Sequence, residues 1–124
     1  MLGVAIEISL DPKGFLRMKT EGPIDERSLP TLFAMAATAH EKHACDRMLV
    51  DHRESGLQLN AAEIYWVPKK LEGHGIQGHR AAVLFSKIGE DEKFLETVCA
   101  NQGVQMKVFT DPVQALAWLM DGTV

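Results

Sequence analysis

Five consecutive apolar residues at positions 81–85 constrain the fold of this chain more than any other segment. A strand that is apolar at every position must be covered on both faces, which is typical of an interior strand in a parallel sheet. Parallel strands need crossover connections, usually helices, so this run predicts an α/β fold.

The remaining segments predict the element order β-β-α-β-α-β-α-β-α. Alternation of apolar and polar residues predicts a β-hairpin, and helical spacing with caps predicts the helices. The predicted strands span residues 4–10, 15–21, 45–50, 80–85 and 104–109, and the helices span 28–43, 60–73, 90–101 and 112 onward. We therefore expect one domain over residues 1–124, with a five-stranded mixed sheet, parallel later strands and four main helices.

Apolar spacing also predicts which helix residues face the sheet. Asn60 and Glu63 form a capping-box pattern at the start of the second helix, and Pro68 should kink or shorten it. The residues predicted to face inward on the other three helices are Leu29, Leu32, Phe33, Ala36, Ala37 and His40; Phe94, Leu95 and Val98; and Val113, Leu116, Ala117 and Met120.

Charge and hydropathy exclude several classes of partner. The formal net charge is −4 and the hydrophobic fraction is 46%. An acidic chain without a basic surface is not expected to bind nucleic acid. No apolar run is long enough to cross a bilayer and no signal peptide is recognisable, so we predict a cytoplasmic protein that is not integral to a membrane. Cys45 and Cys99 are expected to be free thiols.

Several segments together resemble the STAS/SEC14-like group of small bacterial proteins. These proteins share one fold, called SpoIIAA-like, with anti-sigma factor antagonists and with CRAL-TRIO lipid-transfer domains. The resemblance covers the hairpin and the segments at residues 48–53, 81–85 and 108–119. It implies a SpoIIAA-like fold and either regulation through a protein partner or lipid carriage. In anti-sigma antagonists an Asp-Ser-Ser-Gly segment carries a phosphorylated serine, and the nearest match here ends in Ser55 and Gly56.

The predicted strand that ends at Val50 is followed by polar residues that form the first candidate site. In open α/β sheets, ligands bind beyond the carboxyl ends of the strands. Asp51, His52 and Arg53 could orient a polar ligand or a partner, with Arg53 as a forked donor and His52 titrating near neutrality. The alternative is a solvated ion pair. Ser55 is a weak candidate for phosphorylation in a loop, and otherwise a turn or cap serine.

Tyr65 and Trp66 form the second candidate site. If Ile64 and Val67 face the core, Trp66 points about 100° away from Val67 because of the helical repeat. A partly exposed aromatic pair would suit a partner or the mouth of an apolar pocket. The alternative is that a kink at Pro68 tucks both rings under a loop.

No pattern demands catalysis, a metal or a cofactor. His40, His43 and Cys45 lack further ligands for a metal site. Residues 73–78 match GxGxxG, but they follow a helix and precede a strand, which is the reverse of a dinucleotide-binding turn. Ser55, His52 and Asp51 lie too close in sequence to converge as a triad. We therefore expect a non-enzymatic protein without a cofactor.

These observations favour a regulatory or protein-interaction module. It would dock an unknown protein, or a second copy of itself as a homodimer, through Asp51–Arg53 and the Tyr65–Trp66 pair. The alternative is a carrier or sensor of a lipid or another apolar small molecule. A pocket between the second helix and the sheet would favour the carrier, and a closed core with Trp66 outside would favour docking.

Overall fold

A five-stranded mixed sheet forms the centre of the protein in a computed structural model, which describes residues 3–76 and 78–121. The chain forms ten elements in the following order: β1 (Ala5–Asp11), β2 (Phe15–Ile24), α1 (Leu29–His43), β3 (Arg47–Leu57), α2 (Ala61–Tyr65), α3 (Val67–Gly73), β4 (Arg80–Leu84), α4 (Glu90–Asn101), β5 (Gln105–Phe109) and α5 (Pro112–Asp121). This element order confirms the predicted α/β fold.

The strand order in the sheet is β1-β2-β3-β4-β5. β1 and β2 pair antiparallel around a turn that contains Gly14, while the other pairs are parallel. The larger core cluster joins one face of the sheet to α1, α2, α3 and α4. On the other face, α5 packs Ala115 and Leu119 against a smaller cluster that includes Leu49 and Leu84. We call these two faces the helix face and the α5 face.

The predicted second helix is two helices in the structure, so the described chain has five helices rather than four main ones. α2 ends before Trp66, and α3 restarts with Pro68 in its first turn. Proline lacks an N–H and is tolerated only in the first turn, so the chain breaks just upstream of it. The capping box of Asn60 and Glu63 is present as predicted, with hydrogen bonds of 2.8 and 2.9 Å.

The predicted inward face of α5 is wrong at Val113 and Ala117, whereas Leu116 and Met120 pack against the core as predicted. Val113 is 76% exposed, whereas Ala115 and Leu119 are fully buried. Residues 115–120 are apolar throughout, so hydrophobicity alone does not fix the rotation of this helix. Smaller errors of the same kind affect Phe94, which is exposed, and Ala37, which is partly buried while Ala39 is fully within the core.

Both β2 and β3 are longer than the sequence predicts. Gly22 and Pro23 were expected to end β2, yet the strand runs to Ile24. β1 pairs with β2 only as far as Glu21, so the last part of β2 has one neighbour, and proline is tolerated in such an edge segment. Gly22 has a φ of 103°, which glycine adopts without strain.

Candidate functional site

The first candidate segment lies within β3 and not in a loop after it. Asp51 pairs with Leu84 at the end of β4, but β3 continues beside β2, where Ser55 pairs with Gly22 and Leu57 with Ile24. The prediction that the strand stops before Asp51 is therefore wrong. The extra length of β2 supplies backbone partners that keep residues 51–57 extended.

A β-bulge interrupts this pairing. Lys19 pairs with Asp51 and Glu21 with Glu54, so one residue of β2 lies opposite two residues of β3. In a regular strand, side chains three positions apart point to opposite faces, but an extra residue resets the alternation. His52 and Ser55 consequently both lie on the helix face, the same face as Thr20.

Thr20 joins these two side chains. Its Oγ1 lies 2.6 Å from His52 Nδ1 and 2.7 Å from Ser55 Oγ, and it is 3.4 Å from the carbonyl oxygen of Asp51. Thr20 is fully buried, and His52 is 7% exposed. The three side chains form one hydrogen-bonded chain that runs from the core to the half-buried Ser55.

Burial keeps the His52 imidazole neutral. Desolvation lowers the pKa of His52 from 6.5 to about 4, and the nearby Asp51 charge only partly opposes this shift. The ring packs at a tilt against Phe85, with centroids 5.6 Å apart. The prediction that His52 titrates near neutrality is wrong, because a charged imidazole would lose its hydration in this position.

Asp51 and Arg53 form an ion pair on the α5 face. Arg53 Nε donates to Asp51 Oδ1 at 3.0 Å and Nη2 donates to Oδ2 at 2.9 Å. These bonds hold the pKa of the Asp51 carboxyl below its ordinary value and raise that of Arg53. The side chains are 20% and 41% exposed. This geometry matches the solvated ion pair, the alternative to a ligand site.

Ser55 does not occupy the loop position that phosphorylation was expected to need. It lies inside β3 with its hydroxyl on Thr20. The residues that follow β3 are Gln58, Leu59 and Asn60, and Asn60 caps α2. The connection from β3 to α2 therefore contains no serine or threonine, and the serine that matches the Asp-Ser-Ser-Gly segment, Ser55, lies within the strand.

Tyr65 and Trp66 lie at the junction of α2 and α3, and each is 54% exposed. Their rings meet edge to face, with centroids 5.3 Å apart. Ile64 and Val67 on either side are buried and Trp66 points outward, so of the two alternatives left open by the sequence the structure has the exposed pair. Both rings border a recess of about 370 Å³ that also includes Lys69, Glu72 and Gln102.

The two candidate regions do not form one surface. Asp51 lies beside Leu84 on the α5 face and holds Arg53 there. α2 and α3 cover the opposite face of the sheet. Side chains on opposite faces of a sheet are separated by the backbone layer, so a single docking site that includes both is excluded.

A second hollow, which we call the core cavity, lies between α1, α3 and the helix face of the sheet, with a volume of about 120 Å³. His40 and His79 stack at its wall, with ring centroids 4.1 Å apart. The helical spacing predicted His40 on the buried face of α1, whereas nothing in the sequence indicated a position for His79. His79 lies in the connection before β4 and gave no periodic signal.

Residues 3–76 and 78–121 contain no cluster of three or more His, Cys, Asp or Glu side chains that could hold a metal ion. His40 Nδ1 instead contacts the Cys45 carbonyl at 2.6 Å. The GxGxxG segment lies between α3 and β4, and its residue 77 is outside the described residues. Within the same described ranges, no helix is long and apolar enough to cross a membrane.

Comparisons with known proteins agree with this fold. No protein-family model and no curated protein matches the sequence. An uncharacterised DUF3478-family protein with a SpoIIAA-like fold from Shewanella loihica PV-4 is 24% identical, covers 94% of each chain and gives a TM-score of 0.57. An anti-sigma factor antagonist from Mycobacterium paratuberculosis gives a TM-score of 0.62 at 14% identity, with the same coverage.

Unphosphorylated SpoIIAA, an anti-sigma factor antagonist, gives a TM-score of 0.55 at 10% identity over 95% of this chain and 99% of its own. At these identities the likeness shows the fold and not the activity. The protein is therefore a single-chain α/β domain with the SpoIIAA-like, or STAS, fold, as the sequence resemblance implied.

Proposed function

We propose that this protein is a non-enzymatic interaction module that docks a protein partner through Tyr65 and Trp66. The observation that carries the proposal is the pair of adjacent, half-exposed aromatic rings at the junction of α2 and α3. Large aromatic side chains are enriched among the residues that dominate binding energy at protein interfaces.

The surroundings of this pair have the composition of an interface. The lining of the recess beside the rings also includes the buried apolar residues Pro68 and Val104. Lys69 and Glu72 form an exposed ion pair of 3.3 Å at its rim. An aromatic centre with a polar rim is the usual arrangement at non-obligate interfaces. The anti-sigma factor antagonists with the same fold make a regulatory role reasonable.

The proposal is tested by comparing partners of the wild-type protein and of Trp66→Ser in its own host. Quantitative co-purification should recover a protein with the wild type that is lost with Trp66→Ser. With that protein purified, the variant should bind at least about fivefold more weakly, because a central aromatic residue contributes more than about 1 kcal/mol. Analytical sedimentation of the purified protein measures its oligomeric state and so tests separately whether the partner is a second copy of this chain.

Val113→Ser is the matched control, because Val113 is the most exposed large apolar residue described and lies on α5, on the opposite face. It should retain the partner. If no protein and no self-association depends on Trp66, or if Val113→Ser has the same effect, docking through this pair is wrong.

Lipid carriage gains no support. The solved structures named above include anti-sigma factor antagonists and no protein described as a lipid carrier. The core cavity of about 120 Å³ is also no larger than the cavity of roughly 150 Å³ that binds one benzene molecule, so it has room for about one ring. An acyl chain does not fit in this volume.

A further inference from the structure

The core cavity is lined almost entirely by apolar side chains from α1, α3, α4 and the strands of the helix face. Among the described residues, its lining includes no Asp, Glu, Lys or Arg. The polar groups in the wall are His40, His52, His79 and Cys99. A charged molecule would find no compensating charge there, so any occupant must be uncharged.

Three of these four polar groups are accounted for. His40 Nδ1 is bonded to the Cys45 carbonyl, and His52 Nδ1 is bonded to Thr20. Burial raises the pKa of the Cys99 thiol to about 12, so it is protonated and behaves as a small apolar group.

His79 is different. Its Nδ1 is buried and has no hydrogen-bond partner among the residues that the structure describes. A buried polar atom left without a partner is costly, so native proteins rarely tolerate one without a reason. His79 lines the cavity and is stacked on His40, so a molecule inside the cavity would lie beside the ring that carries this nitrogen.

We propose that the core cavity binds an uncharged, single-ring molecule that carries a hydroxyl group, with the hydroxyl on His79 Nδ1. The volume fits about one ring, since an apolar cavity of roughly 150 Å³ binds benzene. Phe33, Phe85 and the stacked rings of His40 and His79 line the cavity and offer aromatic contacts. A hydroxyl both donates and accepts, so it satisfies Nδ1 in either tautomer of His79. This site is independent of the docking pair, because neither Tyr65 nor Trp66 lines it.

Phenol and toluene are the probes, because they have nearly the same shape and differ in one hydroxyl. Each is titrated at about pH 8 into protein with labelled methyl groups. The ring current of a bound probe should shift the methyl signals of Leu71, Val83 and Met48, which line the cavity, and leave that of Leu119 in the α5 cluster unchanged. We expect dissociation constants of roughly 1 mM or tighter for ligands of this size.

His79→Phe keeps an aromatic ring beside His40 and removes Nδ1. Phenol should then bind about fivefold to tenfold more weakly relative to toluene, the value of one neutral hydrogen bond. If the ratio of the phenol and toluene dissociation constants is the same in the variant and the wild type, the role of His79 is overturned. The absence of cavity-specific methyl shifts with both probes overturns the site itself.

Ala36→Leu places a larger side chain in the cavity wall and should abolish binding of both probes. If this variant does not fold, Ala81→Val is a smaller change in the same wall and should weaken binding. Val113→Ser, on the opposite face of the sheet, should leave probe binding unchanged. If Ala36→Leu or Ala81→Val folds and still binds both probes as tightly as the wild type, the probes do not bind in this cavity.

Discussion

Replacing Thr20 with valine tests whether the hydrogen-bonded chain through Thr20 stabilises the fold. Valine keeps the shape of threonine but lacks the hydroxyl, so His52 Nδ1 and Ser55 Oγ both lose their partner. Ser55 is half-buried and can bond to water, whereas His52 is only 7% exposed. The main cost is therefore the unpaired imidazole nitrogen.

The expected destabilisation is about 2 kcal/mol. A buried polar group without a partner costs about 1–3 kcal/mol, and the bond to Ser55 contributes about 0.5 kcal/mol because water replaces it in the variant. For a chain of 124 residues this should lower the melting temperature by roughly 6–10 °C. Urea unfolding followed by circular dichroism measures the free energy directly.

Two further variants separate the hydroxyl from the rest of the side chain. Thr20→Ser keeps the hydroxyl and should cost less than Thr20→Val, although it loses a buried methyl group. Ser55→Ala should cost no more than about 1 kcal/mol, because its partner Thr20 keeps the bond to His52. If Thr20→Val is as stable as the wild type, or less damaging than Thr20→Ser, the reasoning about this chain is refuted.

Two other perturbations follow from the same structure. The folded protein holds His52 neutral with a pKa of about 4, whereas in the unfolded chain it binds a proton near pH 6.5. The unfolded state thus takes up more protons between these values, so the free energy of unfolding should fall by about 3 kcal/mol from pH 6.5 to 4. His52→Gln should reduce this dependence in urea titrations across that range, and an unchanged slope would contradict the burial of the imidazole. Asn60→Ala removes the hydrogen bond to the Glu63 amide and should cost about 1 kcal/mol in the same assay; Asn60→Ser, which can still cap, should cost much less.

The sequence predicted the elements well where a local pattern is sufficient. The apolar run before Ser86 indicated an interior strand, and the capping box of Asn60 and Glu63 marked the start of α2. Each of these inferences uses residues within one turn or one strand, where spacing determines direction.

The sequence was least informative where the outcome depends on a neighbouring element. Val113 was assigned to the core because α5 is apolar on most sides, and only packing against the sheet fixes its rotation. Asp51 was assigned to a strand end because the residues become polar there. β3 continues past it since β2 supplies further backbone partners.

By itself, the sequence therefore determined the α/β class and the order of strands and helices along the chain. The tertiary structure alone decided that Asp51 and Trp66 lie on opposite faces, that a bulge brings His52 and Ser55 onto Thr20, and that His79 stacks on His40 beside a cavity. The physical reason is the range of the interactions: helical and strand patterns are local, whereas the contact of Thr20 with Ser55 joins residues 35 positions apart.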